Sequence, residues 1–574
     1  MRHPSNTARS VAGQTTFAVL AALLIVRISV VLLSGMELYA DEAQYWRWSR
    51  SFEWGYYSKP PMIAWVIGTA TSVLGNAEWA VRIPAPFLHT VAASALFCLG
   101  REMFSPRVGM FATIGYALMP GIILSSAVIS TDGVLLPFWC TGLYLLWRLR
   151  TRPDAGWVTA VGLGVSMGCG FLSKYAMLYF FIGLALTALF DRDTRRALFS
   201  PKGLAAIAIA AALIAPHMLW NAANDFKTVG HTVDNANLGG DLINPENFGK
   251  FISDQMGVFG PISFLALIGG IWAFVLRPAG KTREPRDLWL LAFILPVILI
   301  IAGQAVLSRA HANWAATAYP AASVLVAAWL VRAKANRWLW MAIAGICALA
   351  FFALPDVALL LQLGLGLSFA VTVLAVGLVS GWRPSGLLWS SIGLHGASAA
   401  LLALLLALPA GLITTLGLDN AMKRVRGWED GAKAVAEEAR AIGATAILVD
   451  EREVWHGLDY YLRDEEHAPL IAWRRNAGPK SFSETAELTD EIDDKVLVVS
   501  YRAHLRPRIR ADFEDFQVLG EIETPLGTRS NGCPITRRFV LYQASEFEEL
   551  PRTQDWEDRF EGLSERPNPR CPEN

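Results

Sequence analysis

Residues 39–46 read YADEAQYW and residues 56–62 read YYSKPPM, and these two stretches decide the fold. They follow an apolar segment that extends from about Phe17 to Leu33, and further apolar segments come after them. An acidic pair, a lysine, a Pro-Pro break and several aromatic rings therefore lie at a membrane surface. Clustered charge at such a boundary is expensive and points to a functional site. Trp and Tyr rings favour the same depth.

Composition supports a membrane protein. The 574 residues are 53% hydrophobic and only 17% charged, and the mean hydropathy is +0.36. A soluble protein has about 25% charged residues. The formal net charge of zero gives no support to nucleic-acid binding. The basic N-terminus resembles the start of a signal peptide, but its apolar run is too long for one. We interpret that run as a retained spanning helix.

Long apolar segments alternate with short polar loops. A spanning helix needs about 20 mostly apolar residues. The segments that meet this need lie near 15–34, 82–100, 108–126, 131–149, 156–173, 175–190, 203–221, 258–276, 288–307, 315–331, 337–354, 357–379 and 386–413. They predict a polytopic α-helical membrane protein with about thirteen transmembrane helices.

Basic residues concentrate in every second loop, which sets the predicted orientation. They are Arg101, Arg107, Arg148, Arg150, Arg152, Arg192, Arg195, Arg196, Arg277, Lys281, Arg283, Arg286, Arg332, Lys334, Arg337 and Arg383. The positive-inside rule makes these loops and the N-terminus cytoplasmic. The opposite loops include 41–59, 126–132, 221–254 and 308–314, which hold acids, aromatics and histidines. An odd helix number places the C-terminus outside with them.

The sequence divides into two domains. Residues 1–416 form the predicted membrane domain, with a first outer loop at 35–81. Residues 417–574 are more polar and predict a small extracytoplasmic α/β domain with a disordered end. Its predicted helices lie at 427–442 and 454–462, and its predicted strands at 445–449, 470–473, 495–500 and 538–542. Cys533 and Cys571 can form a disulfide if this domain lies in an oxidising compartment.

The first outer loop holds the main candidate residues. Asp41 or Glu42 can act as a general base, a metal ligand or a partner for a sugar hydroxyl. Lys59 can hold a phosphate, and Pro61 is suited to begin the next helix. The structural alternative is an interfacial helix whose acids cap its start and whose lysine extends to the surface.

Other candidates lie in the remaining outer loops. Asp132 follows Ser-Thr and can be either a helix cap or an active-site acid. Lys174 lies between two short spans and can meet an anion or reach toward water. A polar-ligand site is also plausible in the loop that contains Arg309, His311, Asn313 and Trp314. Arg82 is either a substrate-binding or a structural residue.

These motifs together resemble the GT-C membrane glycosyltransferase superfamily. More narrowly, the chain resembles bacterial relatives of the protein O-mannosyltransferases, including aminoarabinose–lipid A transferases and galacturonic acid transferases of lipopolysaccharide. The resemblance covers about residues 15–330 and is carried by YADEAQY at 39–45, SKPPM at 58–62, EWAVRIP at 78–84, STD at 130–132, GFLSKY at 170–175 and HANW at 311–314 with AYP at 318–320.

The resemblance implies a polyprenyl-phosphate sugar donor and a lipid, lipopolysaccharide or other glycan acceptor on the periplasmic face of the inner membrane. It implies that Asp41 and Asp132 are the acids of the site. Lys59 and Lys174 would hold the donor phosphate, with Tyr56 and Tyr319 as hydroxyl donors. Some lipid A transferases have an acid where this chain has Ser58. The identity of the sugar and the presence of a divalent metal ion therefore stay open.

Three alternatives remain at this point. The chain can be a protein O-glycosyltransferase rather than a lipid-modifying one. It can be a transporter of lipid-linked sugar, although transporters often show internal repeats and polar residues near the membrane midplane. It can also be a non-catalytic assembly subunit, which would not need clustered acids and lysines.

Overall fold

The fold is described from a computed structural model of the chain. The described residues are 6–152, 154–234, 245–276, 283–350, 359–408, 413–414, 419–476, 478–486, 495–529 and 532–565. Arg277, Lys281 and Cys571 lie outside these ranges, as do parts of the predicted spans at 337–354, 357–379 and 386–413. Cys533 is disulfide-bonded.

Helices dominate the first 408 residues. They are α1 Asn6–Leu33, α2 Ala40–Trp48, α3 Met62–Leu74, α4 Glu78–Arg82, α5 Pro84–Met103, α6 Pro106–Ala117, α7 Pro120–Ser125, α8 Thr131–Thr151, α9 Trp157–Ser173, α10 Leu178–Phe190, α11 Arg192–Leu198, α12 Pro201–Ala223, α13 Lys227–Asp234, α14 Pro245–Phe259, α15 Pro261–Val275, α16 Pro285–Leu307, α17 Tyr319–Arg332, α18 Arg337–Ala350, α19 Leu359–Val379 and α20 Ser385–Ala407.

Six helical stretches in the described residues are long and apolar enough to cross a membrane, and eight if each of two bent pairs counts as one span. They are Val11–Leu33, Glu78–Met103, Pro201–Ala223, Pro285–Leu307, Ala312–Arg332 and Ser385–Ala407. The bent pairs are α10 with α11, at 118°, and α14 with α15, at 114°. Others, such as α9, are shorter apolar helices. The polytopic helical fold is present, whereas the predicted count of thirteen is not confirmed.

The two sets of loops lie at opposite ends of the helices. Asp132 lies in the first turn of α8 and Arg150 lies near its end, about 27 Å away at 1.5 Å per residue. At the basic end, Arg150 donates to Asp191 at 2.6 and 2.8 Å. The guanidinium groups of Arg286 and Arg332, from two further loops, both lie 5.1 Å from the Phe104 ring. The basic loops therefore gather at one end, as the charge pattern predicts.

The C-terminal part is built on a five-stranded sheet. Its strands are β1 Ala446–Val449, β2 Leu470–Ala472, β3 Val496–Ser500, β4 Phe513–Thr528 and β5 Pro534–Phe547. The order is β2-β1-β3-β5-β4, with β1 parallel to β2 and β3, and β5 antiparallel to β3 and β4. Its helices are α21 Asp419–Met422, α22 Trp428–Ile442, α23 Arg452–Tyr461, α24 Arg506–Arg510 and α25 Gln554–Arg559.

The sheet domain agrees with most of the sequence prediction. Helices α22 and α23 and strands β1, β2, β3 and β5 overlap the predicted elements, whereas β4 was not predicted. Near the end of the chain, α25 is helical and its Trp556 is buried. Residues 566–574 lie outside the described residues. Short 3₁₀ turns occupy Tyr175–Met177, Ala312–Ala318, Lys423–Val425 and Ser483–Thr485.

Alternate residues of the sheet face two different cores, as expected for a period of two. Ala446 and Leu448 pack with Trp556 and Phe560 on one face. The other face joins the first outer loop in a single cluster, which we call the shared core. Its buried members include Leu38, Ala43, Trp46, Trp48, Ile63, Trp428, Val435, Ile447, Leu458, Leu497 and Phe539.

Backbone contacts reinforce the shared core at the start of the loop. The Glu37 carboxylate accepts hydrogen bonds from the backbone N–H groups of Trp428, at 2.5 Å, and Glu429, at 3.3 Å. It thereby satisfies two free donors at the N-terminus of α22, where a negative charge is favourable. The backbone N–H of Leu38 donates to the Tyr461 hydroxyl at 2.7 Å. The loop and the sheet domain are therefore one packed unit.

Candidate active site

Asp41 lies in the first turn of α2 and faces the sheet domain. The two acids in that turn suit the positive end of the helix dipole. The side chain of Asp41 is 42% exposed, and its Oδ1 lies 3.3 Å from the guanidinium of Arg452, at the start of α23. The same guanidinium donates to the Gln44 amide oxygen at 2.9 Å. Asp41 is thus an accessible carboxylate with a cation beside it.

Glu42 is the next residue, yet it points into the protein. Its side chain and that of Arg82 are only 2% and 1% exposed, and they form an ion pair at 2.7 Å. Glu42 also accepts from the backbone N–H groups of Ile129, at 2.9 Å, and Tyr39, at 3.0 Å. Arg82 donates to the carbonyl oxygens of Met36 and Glu37. This pair joins the loop, α4 and the segment before α8.

Asp132 and Lys174 form the second charged pair. The Lys174 ammonium donates to both Asp132 oxygens at 2.8 Å, and the Asn313 amide donates to the same carboxylate at 2.6 Å. Ser130, not Asp132, caps α8, because its hydroxyl accepts from the Gly133 N–H at 3.1 Å. The Asp132 carboxylate is therefore not needed as a helix cap, and it is available to contact Lys174 and Asn313. Three predicted outer loops converge here.

Lys59 lies close to both pairs without joining either. In the described part of the chain, no carboxylate forms an ion pair with its ammonium. Burial, with the nearby positive charge of Lys174, lowers the pKa of Lys59 to about 8. A partly buried cation with a lowered pKa gains most from an anionic ligand. Pro61 directly precedes α3 and ends the loop behind Lys59.

These groups surround a cavity of about 660 Å³, which we call the acid–lysine cavity. Among the described residues, its lining has one acid and five cationic side chains. The lining comprises Tyr39, Asp41, Gln44, Tyr45, Tyr57, Ser58, Lys59, Thr131, Lys174, His231, His311, Asn313, Trp314, Arg424, Arg452, Lys480, Ser481 and Phe482. Asp132 borders it through Lys174 and Asn313. The excess of positive charge suits a ligand with more than one anionic group.

The predicted hydroxyl donors lie elsewhere. Tyr56 is buried against Trp48, with ring centroids 5.2 Å apart, and its hydroxyl donates to the Ser51 carbonyl at 2.6 Å. Burial raises the pKa of Tyr56 to about 12. Tyr319 is fully buried and donates to the Gln255 amide oxygen at 2.5 Å. Both hydroxyls have protein partners, and neither residue lines the acid–lysine cavity.

The loop at 308–314 supplies some, but not all, of its predicted site residues to the acid–lysine cavity. His311, Asn313 and Trp314 line the cavity, and the rings of His311 and Trp314 make an edge contact at 5.1 Å. Burial and the nearby Arg309 lower the pKa of His311. Arg309 is exposed and does not line the cavity.

Sequence reasoning missed the residues that the sheet domain supplies. Arg452, Lys480 and Ser481 line the cavity from that domain, and Arg424 joins them from the segment that precedes it. The Arg424 guanidinium lies 3.4 Å from the Tyr39 hydroxyl. A basic residue beside the start of a predicted outer helix was the one signal available for Arg452. In the residues that the structure describes, no three His, Cys, Asp or Glu side chains form a group suited to a metal ion.

Solved structures share this fold. The crystal structure of ArnT from Cupriavidus metallidurans bound to undecaprenyl phosphate has a TM-score of 0.61 and 16% identity, covering 94% of this chain and 98% of that chain. The apo form of the same enzyme also has a TM-score of 0.61. These likenesses show that the chain shares its fold with ArnT.

Sequence relatives give the family. Residues 58–220 match the family described as dolichyl-phosphate-mannose-protein mannosyltransferase. The lipid A galacturonosyltransferase RgtD of Rhizobium johnstonii is 32% identical over 477 residues, 83% of this chain and 88% of that protein. The lipopolysaccharide core galacturonosyltransferase RgtB of the same organism is 26% identical over 296 residues, 50% of this chain and 59% of that protein. The chain belongs to the protein O-mannosyltransferase-like family that includes RgtD.

Proposed function

We propose that this enzyme transfers galacturonic acid from a polyprenyl-phosphate donor to lipid A or to the lipopolysaccharide that contains it. The transfer takes place on the periplasmic face of the inner membrane. The sugar and acceptor follow the relative that is 32% identical, which is named as a lipid A galacturonosyltransferase. The donor class follows ArnT, whose structure contains undecaprenyl phosphate.

The positive charge of the acid–lysine cavity is the observation that carries this proposal. Lys59, Lys174, Arg424, Arg452 and Lys480 line it in the described part of the chain, against the single lining carboxylate of Asp41. A galacturonosyl phosphate carries a phosphate and a sugar carboxylate. A site with several cations can neutralise both, whereas a neutral sugar needs fewer.

Lys59 is the first candidate for the donor phosphate. Its ammonium has no ion-pair partner among the described residues, while Lys174 is shared with Asp132. Phosphate becomes a better leaving group when fixed cations offset the charge that develops on it. Lys59 therefore binds the phosphate directly, and Lys174 adds positive charge from the other side.

Asp41 is the group that acts on the acceptor. In an inverting displacement, an acceptor hydroxyl oxygen bonds to the anomeric carbon while the bond from that carbon to the phosphate oxygen breaks. The electron pair of that bond leaves with the polyprenyl phosphate, and the hydroxyl proton passes to the Asp41 carboxylate. If the acceptor group is itself a phosphate, no proton needs removal and Asp41 positions it instead.

The neighbouring charged residues have supporting roles. Arg452 orients the Asp41 carboxylate through their contact at 3.3 Å. Asp132 and Asn313 hold Lys174 at the cavity. Glu42 and Arg82, both buried, fix the shape of the loop rather than touching substrate. Their predicted catalytic and substrate-binding roles thus become positioning roles in this proposal.

Transfer by the purified enzyme tests the proposal. The full chain in detergent is incubated with undecaprenyl-phosphate-linked galacturonic acid and lipid A, and the products are analysed by mass spectrometry. We expect galacturonosylated lipid A, with loss of donor in equal amount. No gradient exists in detergent, so this result also excludes transport as the main activity.

Two controls sharpen the result. A donor carrying aminoarabinose in place of galacturonic acid tests the sugar, and a peptide with free hydroxyls tests protein O-glycosylation. Faster transfer from the aminoarabinose donor would refute the sugar assignment. Transfer to the peptide but not to lipid A would refute the acceptor assignment.

A further inference from the structure

A second cavity, of about 590 Å³, lies between the first outer loop and the sheet domain. We call it the arginine–tryptophan cavity. Trp46, Arg47 and Arg50 line it from the loop, and Trp455, Asp459 and Arg463 line it from the sheet domain. The transfer chemistry proposed above does not use these residues.

Arg50 is a fixed cation in this wall. Its guanidinium donates to the Asn76 amide oxygen at 3.0 Å and to the Thr71 hydroxyl at 2.5 Å, and it lies 5.2 Å from the Trp46 ring centroid. These partners are neutral, and no carboxylate pairs with Arg50 in the described residues. Arg50 is therefore held in place with its charge uncompensated.

The opposite wall offers further polar groups. Arg463 stacks over Tyr460 at 4.3 Å, and its ion-pair partner within the described residues is Asp464, whose side chain is 81% exposed. Trp455 is 3% exposed, and its indole N–H has no hydrogen-bond partner in the described part of the chain. The same is true of the Asp459 Oδ2. Buried polar atoms without partners are rare, and they mark places where water or a ligand completes the structure.

We propose that the arginine–tryptophan cavity binds the anionic glycan of the lipopolysaccharide acceptor. Aromatic rings offer apolar faces to sugars, the Trp455 N–H and the Asp459 oxygen suit hydroxyl groups, and Arg50 and Arg463 suit a sugar carboxylate or phosphate. This inference rests on the proposed function for the identity of the ligand.

The position of the cavity agrees with an acceptor subsite. Phe482 lines both cavities. Helix α2 and the turn after it also border both, because Asp41 lines the acid–lysine cavity and Arg50 lines the arginine–tryptophan cavity. Arg50 lies nine positions after Asp41, which corresponds to about 13 Å at the rise of a helix. One extended glycan can therefore reach from the arginine–tryptophan cavity to the carboxylate that acts on it.

Direct binding tests the subsite without any transfer. The full chain in detergent, without donor, is titrated with the deacylated inner-core oligosaccharide of lipopolysaccharide by calorimetry. We expect saturable binding by the unsubstituted enzyme. The affinity should fall about tenfold in each of the single variants R50Q and R463Q, because each loses a charge-assisted hydrogen bond. Maltotriose, a neutral oligosaccharide, should bind at least about tenfold more weakly than the anionic probe.

Matched variants separate the possible outcomes. R440Q removes an exposed arginine of α22 and should bind the probe like the unsubstituted enzyme. If R50Q unfolds, R463Q carries the test. Unchanged binding in a folded R463Q, or no saturable binding at all, overturns the subsite. Because no transfer is measured, that result leaves the proposed function standing, whereas failed transfer with normal binding counts against the function alone.

Discussion

The guanidinium of Arg452 lies 3.3 Å from the carboxylate of Asp41, although the two residues are 411 positions apart in the chain. The contact joins the first outer loop to the sheet domain at the acid–lysine cavity. It holds the Asp41 carboxylate in a fixed orientation at the cavity that both residues line.

Substituting Asp41 tests its catalytic role. D41N keeps the shape and the Arg452 contact but cannot accept a proton, so turnover should fall by about 10²–10⁴-fold, the usual contribution of base catalysis. The measurement is the initial rate of transfer by enzyme purified in detergent. D430N, which changes an exposed acid of α22, is the matched control. Near-normal transfer by a folded D41N enzyme would remove Asp41 from the mechanism.

Donor binding should depend on the protonation of Lys59. Its pKa is lowered to about 8, so the ammonium is present below that pH and lost above it. We expect kcat/KM for the donor to fall as pH rises through about 8. K59R keeps its charge at every pH in this range and should remove the falling limb.

Removing the lysine altogether gives a second readout. K59A should raise KM for the donor more than KM for the acceptor at pH 7. An effect confined to the acceptor would contradict the phosphate role of Lys59.

The Asp132–Lys174 pair should behave as a coupled unit. The two side chains are 10% and 20% exposed. K174A leaves the partly buried carboxylate with Asn313 as its remaining partner, which should destabilise the protein by about 1–3 kcal/mol. The double variant D132N/K174A removes the charge and should recover part of that loss, as measured by thermal unfolding in detergent. Additive effects would show that the two residues act independently.

Glu42 and Arg82 should affect stability rather than chemistry. Removing one partner of a buried ion pair typically costs about 3–5 kcal/mol. E42Q and R82L should therefore lower the unfolding temperature strongly, while the fraction that folds keeps a kcat near normal. K433A, which breaks an exposed pair with Glu429, is the control and should unfold like the unsubstituted enzyme. A stable E42Q enzyme without activity would instead place Glu42 in the reaction.

The neighbours Asp41 and Glu42 show what the sequence could and could not settle. The motif identifies an acidic pair, but successive residues of a helix point about 100° apart, and only the fold decides which one faces the cavity. Asp132 and Lys174 could be brought together from sequence, because loop alternation places both at one end. The contact between Arg452 and Asp41 could not be predicted from sequence, since it depends on how the sheet domain docks.

Tyr319 and strand β4 illustrate two other limits. A tyrosine near a helix start is compatible with a cavity or with a buried partner, and here Gln255 supplies the partner. Strand β4 is at the edge of the sheet, and half of its residues are exposed. Charged residues and glycines interrupt its apolar positions, so it lacks a run of apolar residues by which to recognise it. Both outcomes depend on tertiary packing, which local sequence does not encode.

The cap that Glu37 provides for α22 has a consequence for biosynthesis. The loop emerges from the ribosome early, whereas Trp428 and Arg452 are made only after the apolar helices have been synthesised. The loop therefore lacks the sheet-domain part of the shared core, and Asp41 lacks its contact with Arg452, until about the last quarter of the chain is translated. A nascent or truncated chain that ends before residue 428 should be inactive however well its helices insert.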